Sequence, residues 1–239
     1  MTKKTLVRTL IACVLSLVML GQTVTVFAEP IFEFNGNRYT RAEFLERYGH
    51  FNMFLDGNLV SAEVIFDLFA VTLLDEYRLT EEEIEQWIYD FLYNGGISQV
   101  ELQLLYYTNI ERARVGVPPL QLCPTLSMAA RFKAEEMAEL RYFEHISPVY
   151  GHPQNISLEL FGIEDFRSEN LTRRLTRPRT AFDLVQSWLG SPGHRANMLD
   201  PDHTYLGVGI VENVMGMGVN YDGTPITDRY ASLGVQKFR

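Results

Sequence analysis

Two histidines and one carboxylate stand out by their settings. His194 lies in Ser191-Pro192-Gly193-His194-Arg195-Ala196-Asn197-Met198-Leu199. Trp188-Leu189-Gly190 ends the apolar run before it, Ser191 suits a helix cap and Pro192 a first helical turn. His194 and Arg195 then sit near a helix N-terminus, where free N–H groups and the dipole favour an anion. Glu144-His145 precedes Ser147-Pro148, and Glu169 stands in Ser168-Glu169-Asn170. Two imidazoles and a carboxylate are zinc ligands in type and number, and they leave a place for water. A zinc-bound water would serve hydrolysis. No His-Glu-x-x-His run puts two ligands on adjacent helical turns, so only the fold can bring the three together.

Ser147 and Ser191 are candidate nucleophiles beside histidines. Each has a plainer reading, Ser147 in a turn and Ser191 as a cap, and no nucleophile elbow or triad order is visible. His152 and His203 are expected in surface loops at the rim of such a site, and His50 as incidental. Trp188, on an apolar helix face, is expected in the core.

Around these residues the chain reads as an exported protein. Lys3, Lys4 and Arg8 precede the apolar run Leu10 to Leu20, and Val26-Phe27-Ala28 resembles a small-residue cleavage site, so residues 1–28 are expected to be a signal peptide. Removing those three basic residues takes the net charge from −9 to −12. So acidic a chain lacks the basic surface that phosphate binding needs, which argues against nucleic acid as a partner. Only Cys123 remains in the mature part, so no internal disulfide is expected, and Cys123 reads as a buried small hydrophobe.

The elements that must position the site fall into two regions. Residues 29–95 are expected to form a mainly helical region, a cap, a spacer or a binding module. Ile31 to Phe34 with Asn35-Gly36 suggests a strand and turn. Thr40 with Glu43 and Thr80 with Glu83 have capping-box spacing, and Ile84, Trp87, Ile88 and Phe91 share a helical face. The second region runs over 97–239. Ser98 with Glu101 is a third capping box, opening a helix to about Arg114. Thr125 is expected to cap a helix through Leu140 that carries Leu126, Ala129, Ala130, Lys133 and Met137 on one face. A short helix is expected over Asn155 to Phe161, a polar stretch around Glu169, and a helix over Thr180 to Trp188. The period then changes: Tyr205 to Val211, Met215 to Val219 and Arg229 to Phe238 read as strands, with a turn at Tyr221-Asp222-Gly223. Helices first and a strand meander last give an α+β fold with an antiparallel sheet.

The order of these signals resembles the CAP superfamily, or SCP domain, of cysteine-rich secretory, antigen 5 and pathogenesis-related proteins, in its cysteine-poor bacterial branch. The carrying residues are Asn109 to Arg114 with Gly116 and Pro119-Leu120, His145-Ile146-Ser147-Pro148, and Ser168-Glu169-Asn170-Leu171. Trp188 with Ser191 to Asn197, Leu206-Gly207-Val208-Gly209 and Tyr230 to Phe238 complete them. The likeness covers about 97–239 and leaves 29–95 unexplained.

The resemblance implies an α-β-α sandwich whose cleft holds two histidines, here His145 and His194, and the acid Glu169, with Ser191 and Arg195 beside them. It implies a histidine pair that takes zinc in some relatives. The family's second acid, three places after the tryptophan in eukaryotic members, is Ser191 here. It further implies a secreted, extracellular or loosely wall-associated binding protein, usually without an established catalytic activity. Its partners would be a small ligand, lipid included, or a cell-surface or host component. A zinc-dependent hydrolase using the same cleft is the alternative.

Overall fold

The structure is a computed structural model that describes residues 30–34, 37–50, 52–55, 58–175, 180–217 and 230–239. The expected signal peptide, the turns at Asn35-Gly36 and Tyr221-Asp222-Gly223, and Val219 and Arg229 at expected strand ends lie outside them. No described helix is long and apolar enough to cross a membrane. The chain divides into two compact units, the smaller ending at Thr72 and the larger resuming at Leu73.

The expected mainly helical region also carries five short strands: β1 (Pro30–Phe34), β2 (Asn37–Thr40), β3 (Asn52–Leu55), β4 (Asn58–Ser61) and β5 (Val71–Thr72). In the smaller unit the start of β1 pairs antiparallel with β5, and β3 with β4. Helices α1 (Arg41–Tyr48) and α2 (Ala62–Phe69) complete it. Its core is aromatic, with Phe44 edge-on to Phe32 at 4.8 Å between ring centres. Thr40 and Glu43 form the capping box their spacing suggests.

The larger unit begins well before the boundary expected at 95–97. Helix α3 (Glu81–Tyr93), opened by the Thr80–Glu83 capping box, packs into it. Trp87 meets Phe132 and Phe161 edge-on and its Nε1 donates to Glu135 at 2.7 Å. Leu74 N donates to Pro148 O at 2.6 Å, and Leu79 N to the Tyr150 hydroxyl at 3.0 Å. Residues 73–93 lack chemistry of their own, yet they cover the same core as the domain that follows.

That domain is a sheet between helices. Helix α4 (Gln99–Arg114) starts at the Ser98–Glu101 capping box. Strand β6 (Gln121–Leu122) leads into helix α5 (Pro124–Glu139). The N-cap of α5 is Cys123, not Thr125, and its side chain makes no capping bond; Pro124 supplies the preset φ of a first helical position instead. Pro153–Asn155 is one helical turn running into a π-helical stretch, Ile156–Leu160. Then follow β7 (Ser168–Leu175), α6 (Ala181–Leu189), α7 (Pro192–Leu199), β8 (Tyr205–Met215) and β9 (Tyr230–Phe238).

The sheet has the order β6-β8-β9-β7. It is antiparallel across β8, β9 and β7, as expected, but β6 joins parallel to β8. Strand β8 runs past the expected Val211 to Met215, the first residue of the second expected strand, and bends at an irregularity between Val211 and Val214, where Asn213 takes a left-handed φ of 60°.

The two-residue period of the strands sorts their side chains. Ala231, Leu233 and Val235 of β9 pack with Ala130, Ala134 and Met137 of α5. Leu206 and Val208 of β8 and Phe238 of β9 pack on the other face with Leu104 of α4, Leu184 and Trp188 of α6, and Met198 of α7. This is an α-β-α sandwich, with Trp188 in its core. Glu101 does more than cap: its buried carboxylate accepts from Arg131 Nε at 2.8 Å and from Ile210 N at 3.0 Å, joining α4, α5 and β8.

Candidate functional site

The edge strand β7 organises the site. Its sequence, Ser-Glu-Asn-Leu-Thr-Arg-Arg-Leu, has too few apolar residues to show a strand period, so the expected polar stretch is in fact a strand. Successive residues point to opposite faces. Glu169 points to the α5 face and Asn170 to the face of α6 and α7.

Glu169 is buried, and its Oε1 lies 2.9 Å from His145 Nδ1. The His145 ring itself is half exposed, at 49% of its side-chain area, against 2% for Glu169. Directly across the sheet from Glu169 is Lys237. Its Nζ reaches Glu169 Oε2 at 2.8 Å and donates to Pro153 O at 3.0 Å. Burial alone would raise the Glu169 pKa. Lys237, the His145 hydrogen bond and Lys133 outweigh it and hold the carboxyl below the usual carboxylate range.

Asn170 holds the helix that carries the second histidine. Its Nδ2 donates to His194 O and to Gln236 Oε1, each at 3.1 Å, and its Oδ1 accepts from Asn197 at 2.9 Å. Burial and the nearby charge of His145 both lower the His194 pKa. The two imidazoles therefore interact. Replacing His145 by Gln removes one of these two causes, so His194 should titrate at higher pH in that variant than in the parent. Following the ring Cε1–H signal of His194 by NMR across pH 4–8 checks this; an unchanged midpoint would separate the two rings.

Beneath His145 lies a second buried network. Lys133, on the face of α5 where its spacing with Ala129 and Met137 put it, donates to the Tyr142 hydroxyl at 2.8 Å. Tyr142 donates to Glu136, and Ser147 Oγ donates to the same carboxylate at 2.6 Å. Burial pulls Lys133 down to about 8, and burial raises Glu136. Ser147 also accepts from Val149 N at 3.0 Å and Tyr150 N at 2.9 Å. Fully buried and with its hydroxyl committed, Ser147 is a turn-former, not a nucleophile.

Ser191 occupies the N-cap position of α7, but its hydroxyl makes no capping bond. Arg195 is exposed. Neither side chain makes a hydrogen bond or ion pair among the described residues. His203 is not the rim residue the sequence suggested: it is buried, stacks on Phe238 at 5.0 Å, and its Nδ1 meets Asn197 O at 2.9 Å. His152 precedes the Pro153 turn.

Sequence reasoning gave Arg112 no role. Its guanidinium is fully buried and donates to four carbonyls: Pro118 at 2.7 Å, Met198 at 2.8 Å, Asp200 at 2.9 Å and His203 at 3.2 Å. It ties α4 to the end of α7. The buried face of α4, Glu101, Leu104, Thr108 and Arg112, is too polar to show as an apolar stripe in the sequence.

Among the described residues no three His, Cys, Asp or Glu side chains are grouped to hold a metal ion. A cavity lined by Cys123, Phe161, Ile163, Asp165 and Arg239 includes none of the site residues.

Residues 105–219 match the model of the cysteine-rich secretory protein family, CAP. The uncharacterized protein YkwD of Bacillus subtilis (strain 168) is 39% identical over 120 residues, which cover 50% of this chain and 45% of YkwD. The uncharacterized membrane protein YlbC of the same organism is 35% identical over 112 residues, 46% of this chain and 31% of YlbC. The match thus spans less than half the length of either relative. Among solved structures, an extracellular protein containing a SCP domain from Bacillus anthracis str. Ames is similar with a TM-score of 0.42 and 23% identity, over 84% of this chain and 50% of that one. Residues 105–219 thus carry a CAP domain of the cysteine-rich secretory protein family.

Proposed function

We propose that the protein is exported and acts outside the cell as a binding protein, with a cleft of His145, Glu169 and His194 that takes a small ligand through its two imidazoles. Support for export comes from the basic and apolar residues at 1–28 and the lone cysteine after them. One observation carries the cleft: a buried carboxylate accepts from Nδ1 of a half-exposed imidazole at 2.9 Å. Glu169 aims His145 and leaves the outer edge of the ring for a ligand. Ser191 and Arg195 are placed to extend this surface along α7, for a polar headgroup or a cell-surface component.

The same pair favours a second reading. A carboxylate that orients a histidine is also how a general base is held in hydrolases. Ser147 is committed to Glu136, so a hydrolase here would use Ser191 or activate water.

The test uses the ring signals of His145 and His194 while inorganic phosphate or lysophosphatidylcholine is added. Saturable shifts of both rings that vanish in His145→Ala and His194→Ala support the binding cleft. Rings unmoved by either probe sink it. Turnover of p-nitrophenyl acetate that is abolished by His145→Ala would put the hydrolase in its place.

A further inference from the structure

The histidine pair invites a divalent metal, and the surroundings of Glu169 refuse one. A zinc site takes at least three protein ligands. Here both oxygens of the carboxylate behind His145 are already engaged: one lies 2.9 Å from His145 Nδ1, and the other forms an ion pair with Lys237 Nζ at 2.8 Å. Lys237 is fully buried, and its ammonium also lies 4.8 Å from the centre of the Phe166 ring. A second buried cation, Lys133, stands on the same face of the sheet.

We propose that Lys237 is the resident counter-ion of Glu169, and that it excludes divalent metals from the cleft of His145 and His194. The inference rests on reading that cleft as the binding site. A carboxylate behind a histidine raises the basicity of the ring and so its hold on a metal. Pairing that carboxylate with an ammonium withdraws the gain. A dication at the rings would also feel Lys237 and Lys133 across a poorly screened interior. β9 needs no cation at this place for its own sake, because a buried lysine costs desolvation that an apolar side chain would not. The price is met by Glu169, and its consequence falls on what the rings can hold.

Zinc titration of the purified chain by calorimetry at pH 7 tests this. The unmodified chain should show no saturable heat up to about millimolar zinc. Lys237→Met should bind zinc, a gain of about 10–100-fold, and the further change His145→Ala should remove it. Tight zinc binding by the unmodified chain that is lost in His145→Ala overturns the proposal, as does a folded Lys237→Met that binds no better. If Lys237→Met does not fold, the His145 ring nitrogens of the unmodified chain decide: signals unmoved by zinc uphold the exclusion, and a saturable shift ends it. Zinc is the readout throughout. Failure here therefore leaves the phosphate and lysophospholipid result standing, and the two failures are told apart by their probes.

Discussion

Replacing Arg112 by alanine is expected to lower the stability of the larger unit by about 4 kcal/mol, enough to leave much of it unfolded near 37 °C. The guanidinium is fully buried and donates to the carbonyls of Pro118, Met198, Asp200 and His203. Truncation strands the buried carbonyls of Met198 and His203, each at about 1–3 kcal/mol before relaxation, and leaves a cavity, while the part-buried carbonyls of Pro118 and Asp200 lose a charged donor. Water entering that cavity would recover part of the loss. Lysine would not replace arginine: it brings three donors and no planar fork, so at least one carbonyl stays bare. Urea unfolding of the parent, Arg112→Ala and Arg112→Lys checks the order. A loss below about 1 kcal/mol in the alanine variant would show that these carbonyls are satisfied some other way. The site should suffer too, because Arg112 anchors the end of the helix that carries His194.

A methyl group at position 209 should be nearly as damaging, for the opposite reason. A Cβ on Gly209 would lie 2.2 Å from Arg131 N and 2.3 Å from Ala130 C, and one on Gly207 would lie 2.2 Å from Leu126 C. These are backbone atoms of α5, so no side chain can turn aside. The helix must lift off the sheet along two turns. Gly209→Ala is expected to cost about 3 kcal/mol, at the upper end for overpacking. It should also loosen Lys133 and Glu136, which ride on the same helix. Thermal unfolding followed by circular dichroism gives the answer, and a midpoint within a degree of the parent would mean that α5 is not pressed against β8.

These two residues also show how far the sequence could be read. Helix starts with a threonine or serine and an acid three places on were legible, because a capping box is complete within four residues. The sandwich was legible only through the family likeness, which also singled out His145, Glu169 and His194, since no local spacing joins positions in different elements. What stayed hidden was hidden for physical reasons. Arg112 sits between Glu111 and Ala113 and looks like one more solvated cation; three of its four partners lie 86 to 91 positions along the chain. His203 does lie in a loop, but stacking on Phe238 and contact with Asn197 bury it, and neither partner is adjacent to it in sequence. Lys133 could be placed on the apolar face of α5, but not paired. Lys237 is met by Glu169 only because the β7–β9 register sets them opposite one another, and register is not written in either strand alone. Gly95-Gly96 marks the end of a helix, whereas compactness depends on where Trp87 and its neighbours pack.

The strand order has a consequence for how the chain is made. β9 is the last of the described strands to leave the ribosome, yet it lies in the middle of the sheet, between β8 and β7. A chain made as far as Gly216 holds β7 and β8 with nothing between them. Neither can settle its register, and the apolar side chains of both faces remain uncovered. The domain thus cannot complete itself during synthesis; it must wait for residue 238, and then close contacts between partners far apart along the chain. Such late, non-local closure slows folding and prolongs the life of the open chain. On the export proposed above, that delay would keep the chain threadable until it has crossed the membrane.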